Sequence, residues 1–249
     1  MNLNLVCKKL LDQLLPSTCV LCECAILDLK NMQQFSHTGV CEACFLRFFN
    51  QRTLRCKICA NKLDMTATYA LCGTCLTHPP AFDHTIAVTD YVAPYNTLIH
   101  ALKFQHRLAL APLFAQLLAQ AWTQSKIKQV DIMTVIPLSA ERLIERGFNQ
   151  SLEIAKPLAK ILSIPLMPKL AIRSRHTQAQ SSLAFHKRRD NLRGAFIIPT
   201  TSQTFKNKHI LVIDDVMTSG HTLNEFAACL KRHGAASVTN LIVARTVAH

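Results

Sequence analysis

The stretch that decides the fold reads Ile210-Leu-Val-Ile-Asp-Asp-Val-Met-Thr-Ser-Gly-His-Thr-Leu223. Its first four residues are aliphatic and mostly β-branched, which predicts a buried strand of a parallel sheet. Asp214 and Asp215 should emerge at the carboxyl end of this strand, where open α/β sheets bind ligands. From Leu223 to His233 the apolar residues recur at helical spacing. The order of strand, acid pair, loop and helix therefore predicts an α/β fold with a ligand site at this edge.

The loop after the acids has the composition of an anion site. Its residues are Thr218, Ser219, Gly220, His221 and Thr222. Hydroxyls, backbone N–H groups and a helix N-terminus together attract phosphate, and glycine lets the backbone approach it closely. The two carboxylates can accept hydrogen bonds from ribose hydroxyls, so the stretch predicts a phosphosugar site. A Walker A loop is excluded because its Gly-Lys-[Ser/Thr] signature is absent. The alternative is a buried strand that ends in two solvated acids and a capping threonine.

The whole stretch resembles the phosphoribosyl pyrophosphate (PRPP) motif of type I phosphoribosyltransferases. That motif has the same order of parts: an apolar strand, two acids and a Thr/Ser-Gly-x-Thr loop. The resemblance implies a parallel sheet flanked by helices that binds PRPP or a related phosphosugar.

Eight of the 11 cysteines form four Cys-x-x-Cys pairs. Each pair can direct two thiolates at one ion, so two pairs complete a tetrahedral zinc site. Pairing sequential neighbours gives two groups: Cys19, Cys22, Cys41, Cys44 and Cys56, Cys59, Cys72, Cys75. An interleaved pairing is also compatible with the spacing, and Cys24 can replace Cys22. Closed four-thiolate sites have no open position, so we expect two structural Zn²⁺ ions in a double zinc ribbon.

Composition limits the class of protein. With 249 residues and 49% hydrophobic content, the chain can bury a core in one large or two modest domains. No apolar run reaches the roughly 18 to 20 residues that span a bilayer. Lys8, Lys9 and Asp12 interrupt the stretch Leu3–Leu15, which predicts a short helix instead of a signal peptide. We therefore expect a cytoplasmic protein with no membrane span and with reduced cysteines.

The rest of the chain continues the α/β pattern. Thr85–Asp90 alternates like a strand, Thr97–Trp122 has helical periodicity and Ile132–Ile136 is a short apolar strand. This order favours a parallel sheet flanked by helices. The sequence His78-Pro-Pro80 interrupts regular structure. The predicted domains are therefore 1–80, with the N-terminal helix and double zinc ribbon, and 81–249, with the α/β fold.

Two basic segments can bind anions. Arg142 and Arg146 are four residues apart, which would place them on one face of a helix, and guanidinium groups suit diphosphate oxygens. A solvated charged turn with Glu141 and Glu145 is the alternative. The second segment, 173–193, lacks hydrophobic periodicity until Leu183 and predicts a loop that meets a diphosphate or a nucleic-acid backbone. An ordinary soluble surface loop is the alternative for it.

These motifs together resemble the ComF family of competence proteins and their amidophosphoribosyltransferase-type relatives. The resemblance rests on the leucine helix before the first Cys-x-x-Cys, the double zinc ribbon and four further motifs. These are Leu102-Lys-Phe104, Arg146-Gly-Phe-Asn-Gln150, Arg173-x-Arg-x-Thr-x-x-Gln180 and Asp214-Asp-Val-x-Thr-Ser-Gly220. The implied architecture is a type I phosphoribosyltransferase-like domain with a small N-terminal zinc-ribbon domain.

The resemblance also implies roles for single residues. Asp214 and Asp215 would hold the ribose hydroxyls, and Thr218 to Thr222 the 5′-phosphate. Arg142, Arg146, Gly147 and Asn149 would face the pyrophosphate. The polar hood would comprise Arg173, Arg175, Thr177, Gln180, Arg188 and Asn191, and Lys187, Arg189 and Arg193 add charge to the same segment. An active enzyme would displace pyrophosphate from PRPP with Mg²⁺, using Asp214, Asp215, Arg142 and Arg146 as its catalytic residues.

Charge favours a polymeric anion as a second partner. The formal net charge is +13, and residues 81–249 hold 20 of the 28 basic and 10 of the 15 acidic side chains. Such a surplus favours single-stranded nucleic acid. We therefore expect a competence protein that handles single-stranded DNA during natural transformation and has a PRPP-binding pocket. The alternatives are a phosphoribosyltransferase or PRPP-sensing protein in nucleotide metabolism, and a zinc-ribbon adaptor for a DNA-uptake helicase or channel component.

Overall fold

The computed structural model describes residues 18–26, 39–49, 53–64, 70–127, 129–173, 194–199 and 205–246. The chain divides into two compact units, Met1–Arg52 and Thr53–His249. The division falls between the two cysteine groups, whereas the sequence predicted a domain boundary near residue 80. The second cysteine group thus belongs to the same unit as the α/β sheet. The predicted helix Leu3–Leu15 lies outside the described residues.

The smaller unit contains one described helix, α1 (Glu42–Phe49), and the turn of the first cysteine pair. Phe45 and Phe49 lie one helical turn apart and their rings stack with centroids 5.5 Å apart. An isolated antiparallel bridge joins Thr18 to Ala25 around the turn. Phe45 and Phe49 are buried, as is Cys44 on the same helix.

The larger unit is built on a parallel sheet of four strands. In chain order its β-strands are β1 (His84–Asp90), β2 (Ile132–Val135), β3 (Ile172–Arg173), β4 (Phe196–Ile197), β5 (His209–Met217) and β6 (Ser237–Arg245). The parallel sheet has the order β1-β6-β5-β2, while β3 and β4 form a separate antiparallel pair. Asp90 and Met217 both pair in register with Arg245. The carboxyl ends of these strands therefore meet at one edge.

Helices cover the sheet. They are α2 (Gly73–Thr77), α3 (Tyr95–Phe104), α4 (Ala111–Gln124), α5 (Ala140–Arg146), α6 (Gln150–Leu162) and α7 (His221–Arg232). Helices α4 and α6 pack on each other and on the sheet, and α7 packs on β6 and β4. Because of this cover, Ile210 to Ile213 are completely buried, as expected for a central parallel strand. The predicted parallel sheet with flanking helices is confirmed.

Three predicted element boundaries were wrong. The helix expected over Thr97–Trp122 is two helices separated by a 3₁₀ turn, Leu108–Leu110. His106 adopts a positive φ of 56° just after the first helix, and a proline in the first turn favours the start of the second. Strand β5 continues to Met217, so both acids lie inside it and not beyond it. Helix α7 begins at His221, before the predicted Leu223.

None of the helices in the described part of the chain has the length and apolar character needed to cross a membrane.

Candidate functional site

A cleft of about 300 Å³ opens at the carboxyl edge of the parallel sheet. It is lined by the end of β5, the loop that follows, the start of α7, one face of α5, and single residues of α3 and β3. The predicted site residues that line it are Arg142, Arg146, Arg173, Asp214, Asp215, Thr218, Gly220, His221 and Thr222. The fold thus brings together acids, hydroxyls and arginines that are far apart in the sequence.

The two acids have different partners. Asp214 accepts a hydrogen bond from the Ser151 hydroxyl at 3.0 Å and another from the backbone N–H of Asp215 at 3.0 Å. Asp215, only 3% exposed, forms an ion pair with Lys103. Both pairings come from helices packed at the edge of the sheet. The hydrogen bonds of Asp214 and the ion pair of Asp215 therefore hold both carboxyl groups in fixed positions at the cleft.

These partners separate the pKa values of the two carboxyl groups. Burial and the neighbouring charge of Asp215 raise the pKa of Asp214 to about 7, against the smaller effects of Lys103 and Ser151. For Asp215, burial favours the neutral form, but the adjacent Lys103 ammonium outweighs it and lowers the pKa. The ion pair with Lys103 therefore favours the ionised form of Asp215, whereas burial and the charge of Asp215 favour the neutral form of Asp214.

We call residues Thr218 to Thr222 the phosphate loop. Gly220 has a φ of +81°, a backbone conformation that residues other than glycine rarely adopt, so the turn favours glycine. His221 and Thr222, the first residues of α7, line the cleft. The N-terminus of α7, with the positive end of the helix dipole, consequently lies at the cleft. Ser219 belongs to the loop but is not among the lining residues.

The first basic segment is helical, because Arg142 and Arg146 lie in helix α5. Ser139 caps its start by accepting from the N–H of Arg142 at 3.4 Å, and Gly147 ends it with a φ of 73°. Arg142 and Arg146 line the cleft from one face of the helix. Among the described atoms, the buried Nε of Arg146 has no hydrogen-bond partner. An arginine with an unpaired donor beside a cleft is suited to an anion.

The structure gives Asn149 a local structural role. Its side chain accepts hydrogen bonds from the N–H groups of Ser151 and Leu152 at 3.0 and 3.3 Å, which caps α6. Its amide nitrogen donates to the carbonyl of Ile136 at 3.0 Å. Neither Asn149 nor Gly147 is among the residues that line the cleft. Both shape the segment that carries Arg146.

Arg173 is the one predicted hood residue that the structure describes. It ends β3 and lines the cleft. The others lie outside the described residues and stay predictions: Arg175, Thr177, Gln180, Lys187, Arg188, Arg189, Asn191 and Arg193.

Sequence reasoning missed several residues of the site. Lys103 and Ser151 contact the acids directly, while Tyr91, Gln150 and Thr246 also line the cleft. Lys103 lies inside the motif Leu102-Lys-Phe104, whose spacing alone predicts no contact with the acids. A lone lysine among apolar residues of a helix was the available signal, because such a residue needs a buried partner.

Both cysteine groups form as the sequential pairing predicts. In each group all four Sγ atoms lie within 4.8 Å of one another, and Cys24 belongs to neither. In the second group, burial opposes ionisation of Cys56, but hydrogen bonds from backbone N–H groups, those of Cys59 and Cys72 first, lower its pKa to about 7. Thiols that converge and accept backbone hydrogen bonds fit a tetrahedral zinc site. These four cysteines would hold Zn²⁺ as a structural ion.

Comparison with known proteins agrees with this architecture. The family described as "Phosphoribosyl transferase domain" matches residues 149–247. DNA utilization protein YhgH of Salmonella typhimurium is 34% identical over 236 residues, which cover 93% of this chain and 98% of that protein. The chain belongs to the YhgH family. Competence protein F of Haemophilus influenzae is a further relative, 29% identical over 208 residues that cover 80% of this chain and 87% of that one.

The relationship to competence proteins of the ComF type, predicted from the motifs, is thereby confirmed. Among solved structures, the allosteric regulatory enzyme of purine biosynthesis matches with a TM-score of 0.36 and 20% identity, over 53% of this chain and 25% of that one. At this TM-score the match adds nothing to the assignment of this YhgH-family fold, which depends on the family match and the strand order.

Proposed function

We propose that this YhgH-family protein handles single-stranded DNA during natural transformation and binds PRPP with Mg²⁺ in the cleft. The observation that carries the proposal is the convergence of the acid pair, the phosphate loop and the two α5 arginines on one cleft. The names of its relatives, DNA utilization protein and competence protein F, support the DNA role. The proposal includes a cytoplasmic location, where a DNA-uptake helicase or channel component would deliver the strand.

PRPP suits the cleft because its three charged or polar parts match three separate elements. Ribose hydroxyls would donate to Asp214 and Asp215, and the 5′-phosphate would accept from the phosphate loop and the N-terminus of α7. The diphosphate would lie towards Arg142 and Arg146, which offer forked donors. The hard oxygen atoms of the acids and of PRPP fit Mg²⁺, which would neutralise charge on the diphosphate when bound.

The same contacts serve binding and pentosyl transfer. If the protein transfers the sugar, the acceptor base or amine forms a bond to the anomeric carbon, the bond from that carbon to the diphosphate breaks, and the two arginines stabilise the departing charge. A phosphoribosyltransferase in nucleotide metabolism therefore remains the second candidate, favoured by the arginines on the diphosphate side. Release of pyrophosphate from PRPP in the presence of a base or amine supports that candidate, whereas tight PRPP binding without release supports a sensing or regulatory pocket.

Two pairs of rings, His100 with Phe104 and His106 with Phe148, are our candidate contact for DNA bases, and we call them together the ring cluster. Phe104 is 52% exposed, and its ring lies 4.8 Å from that of His100 and 5.1 Å from the Arg146 guanidinium. His106 meets Phe148 edge-on at 5.6 Å. Proteins that bind single strands use exposed aromatic rings to stack on bases and nearby cations to contact phosphates.

The change Phe104→Ala should weaken binding of an oligothymidylate by about 5- to 150-fold, because stacking of one base contributes roughly 1–3 kcal/mol. Fluorescence anisotropy at several salt concentrations measures this, and wild-type affinity should fall as salt rises. Ile161→Ala, which removes a side chain 50% exposed at the end of α6, is the matched control. Equal affinity for Phe104→Ala and the control would remove the ring cluster from the DNA contact.

PRPP affinity should rise as the pH increases through about 7. Below that pH Asp214 is protonated, because burial and Asp215 raise its pKa, and it then accepts fewer hydrogen bonds from ribose hydroxyls. The charged or titratable groups around it are Asp215, Lys103, Arg173 and His221. Calorimetry at pH 6 and pH 8 tests this. The Asp214→Asn variant should show a flatter pH profile, and an unchanged profile would assign the titration to another group.

A further inference from the structure

Arg245 joins the second cysteine group to the phosphate loop. It is the last residue of β6 and is only 6% exposed. Its Nε donates to the carbonyl of Cys59 at 3.0 Å. Its Nη1 donates to the carbonyl of Met217 at 3.1 Å and to that of Thr218. One buried guanidinium therefore contacts two segments. One is the turn that carries Cys56 and Cys59, which we call the cysteine turn, and the other is the phosphate loop at its first residue, Thr218.

The same cysteine turn is fixed to the sheet by a second arginine. Nη1 of Arg55 donates to the carbonyl of Ala60 at 3.2 Å and to Oδ1 of Asp90, at the end of β1, at 2.7 Å. The backbone N–H of Thr85 donates to the carbonyl of Lys57 at 3.1 Å. The second cysteine group is thus seated on the edge of the sheet that carries the cleft.

With metal bound, the thiolates of the second cysteine group would supply the charge that a buried guanidinium requires. None of the ion pairs in the described part of the chain gives Arg245 a carboxylate partner. Four thiolates around Zn²⁺ carry a net charge of about −2, which offsets an adjacent buried cation.

We propose that Arg245 is a positioning residue that couples metal at the second cysteine group to the geometry of the phosphate loop. Metal fixes the turn that carries the Cys59 carbonyl, Arg245 transmits this position to the carbonyls of Met217 and Thr218, and the phosphate loop is held ready for its ligand. The coupling is reciprocal, so a phosphosugar in the cleft slows loss of the metal. This inference rests on the proposed binding of PRPP.

The test measures zinc release to a chromogenic chelator from the full chain, with and without PRPP and Mg²⁺. A Cys41→Ser background disrupts the first group and keeps all four thiols of the second. We expect PRPP to slow release from the second group by about 5-fold or more, as is usual for coupled sites. Hydrogen exchange of residues 56–61 should also slow when PRPP binds, which reports the coupling without any enzymatic activity.

Two arginine variants distinguish coupling between the metal site and the phosphate loop from simple stabilisation of the cysteine turn. Arg55→Met removes one attachment of the turn without touching the phosphate loop, so zinc should leave faster while PRPP still slows its release. Arg245→Met should abolish the PRPP effect. If Arg245→Met does not fold, the Cys41→Ser chain with Arg245 intact decides, because an equal rate of release with and without bound PRPP overturns the coupling. Calorimetry on the same samples distinguishes this result from failure of PRPP to bind, which would contradict the proposed function itself.

Discussion

Replacing both Asp214 and Asp215 by asparagine should nearly abolish PRPP binding. Asparagine keeps the shape of the side chain but removes the negative charge and half of the acceptor atoms. Hydrogen bonds to charged groups contribute about 1.5–3 kcal/mol each, so loss of one such bond at each residue predicts a decrease in affinity of roughly 10²- to 10⁴-fold. Calorimetric titration with PRPP and Mg²⁺ measures the change.

The control for this change is Glu153→Gln. Glu153 pairs with Lys156 on the surface of α6, away from the cleft lining, and PRPP affinity should stay at the wild-type value. Urea unfolding of the double variant must show a cooperative transition, since Asp214 and Asp215 also bond Ser151 and Lys103. A folded double variant that binds PRPP within about tenfold of wild type would contradict the assigned ribose contacts.

The second large effect concerns stability. Lys103→Met should lower the free energy of unfolding by about 3–5 kcal/mol, because it leaves the buried Asp215 carboxylate without its cation. Without Lys103 the pKa of Asp215 should rise, since that ammonium is what lowers it. The loss of stability should therefore be greatest at neutral pH and should shrink on acidification, when protonation removes the unpaired charge. Urea unfolding at several pH values measures this.

Two companion variants test that explanation. The double variant Lys103→Met, Asp215→Asn should recover much of the lost stability, because both charges are then absent. Lys208→Met breaks the ion pair with Asp131, whose side chains are 46% and 30% exposed, and should cost about 1 kcal/mol or less. Equal destabilisation by Lys103→Met and Lys208→Met would show that the buried pair contributes no more than a surface pair.

The local parts of the site were predictable from the sequence. The aliphatic run Ile210–Ile213 and the helical spacing after it depend on near neighbours alone, as does the ability of a Cys-x-x-Cys turn to direct two thiols at one ion. The spacing of Arg142 and Arg146 likewise placed them on one helical face. In each case the physical cause lies within a few residues along the chain.

The contacts that complete the site could not be predicted in the same way. Lys103 reaches Asp215, and Arg245 reaches Cys59, only because the parallel register brings the ends of β1, β5 and β6 to one edge. Asn149 shows a different difficulty. The residue types that bind phosphate are also those that cap helices, and the spacing of neighbours does not separate the two roles.

The most direct test of the account is a calorimetric titration of the full chain with PRPP and Mg²⁺. We expect saturable binding of one PRPP per chain, dependent on Mg²⁺ and stronger at pH 8 than at pH 6, with a matching rise in the unfolding midpoint. If PRPP at millimolar concentration produces neither saturable heat nor a shift of that midpoint, the cleft is not a PRPP site and the account is contradicted.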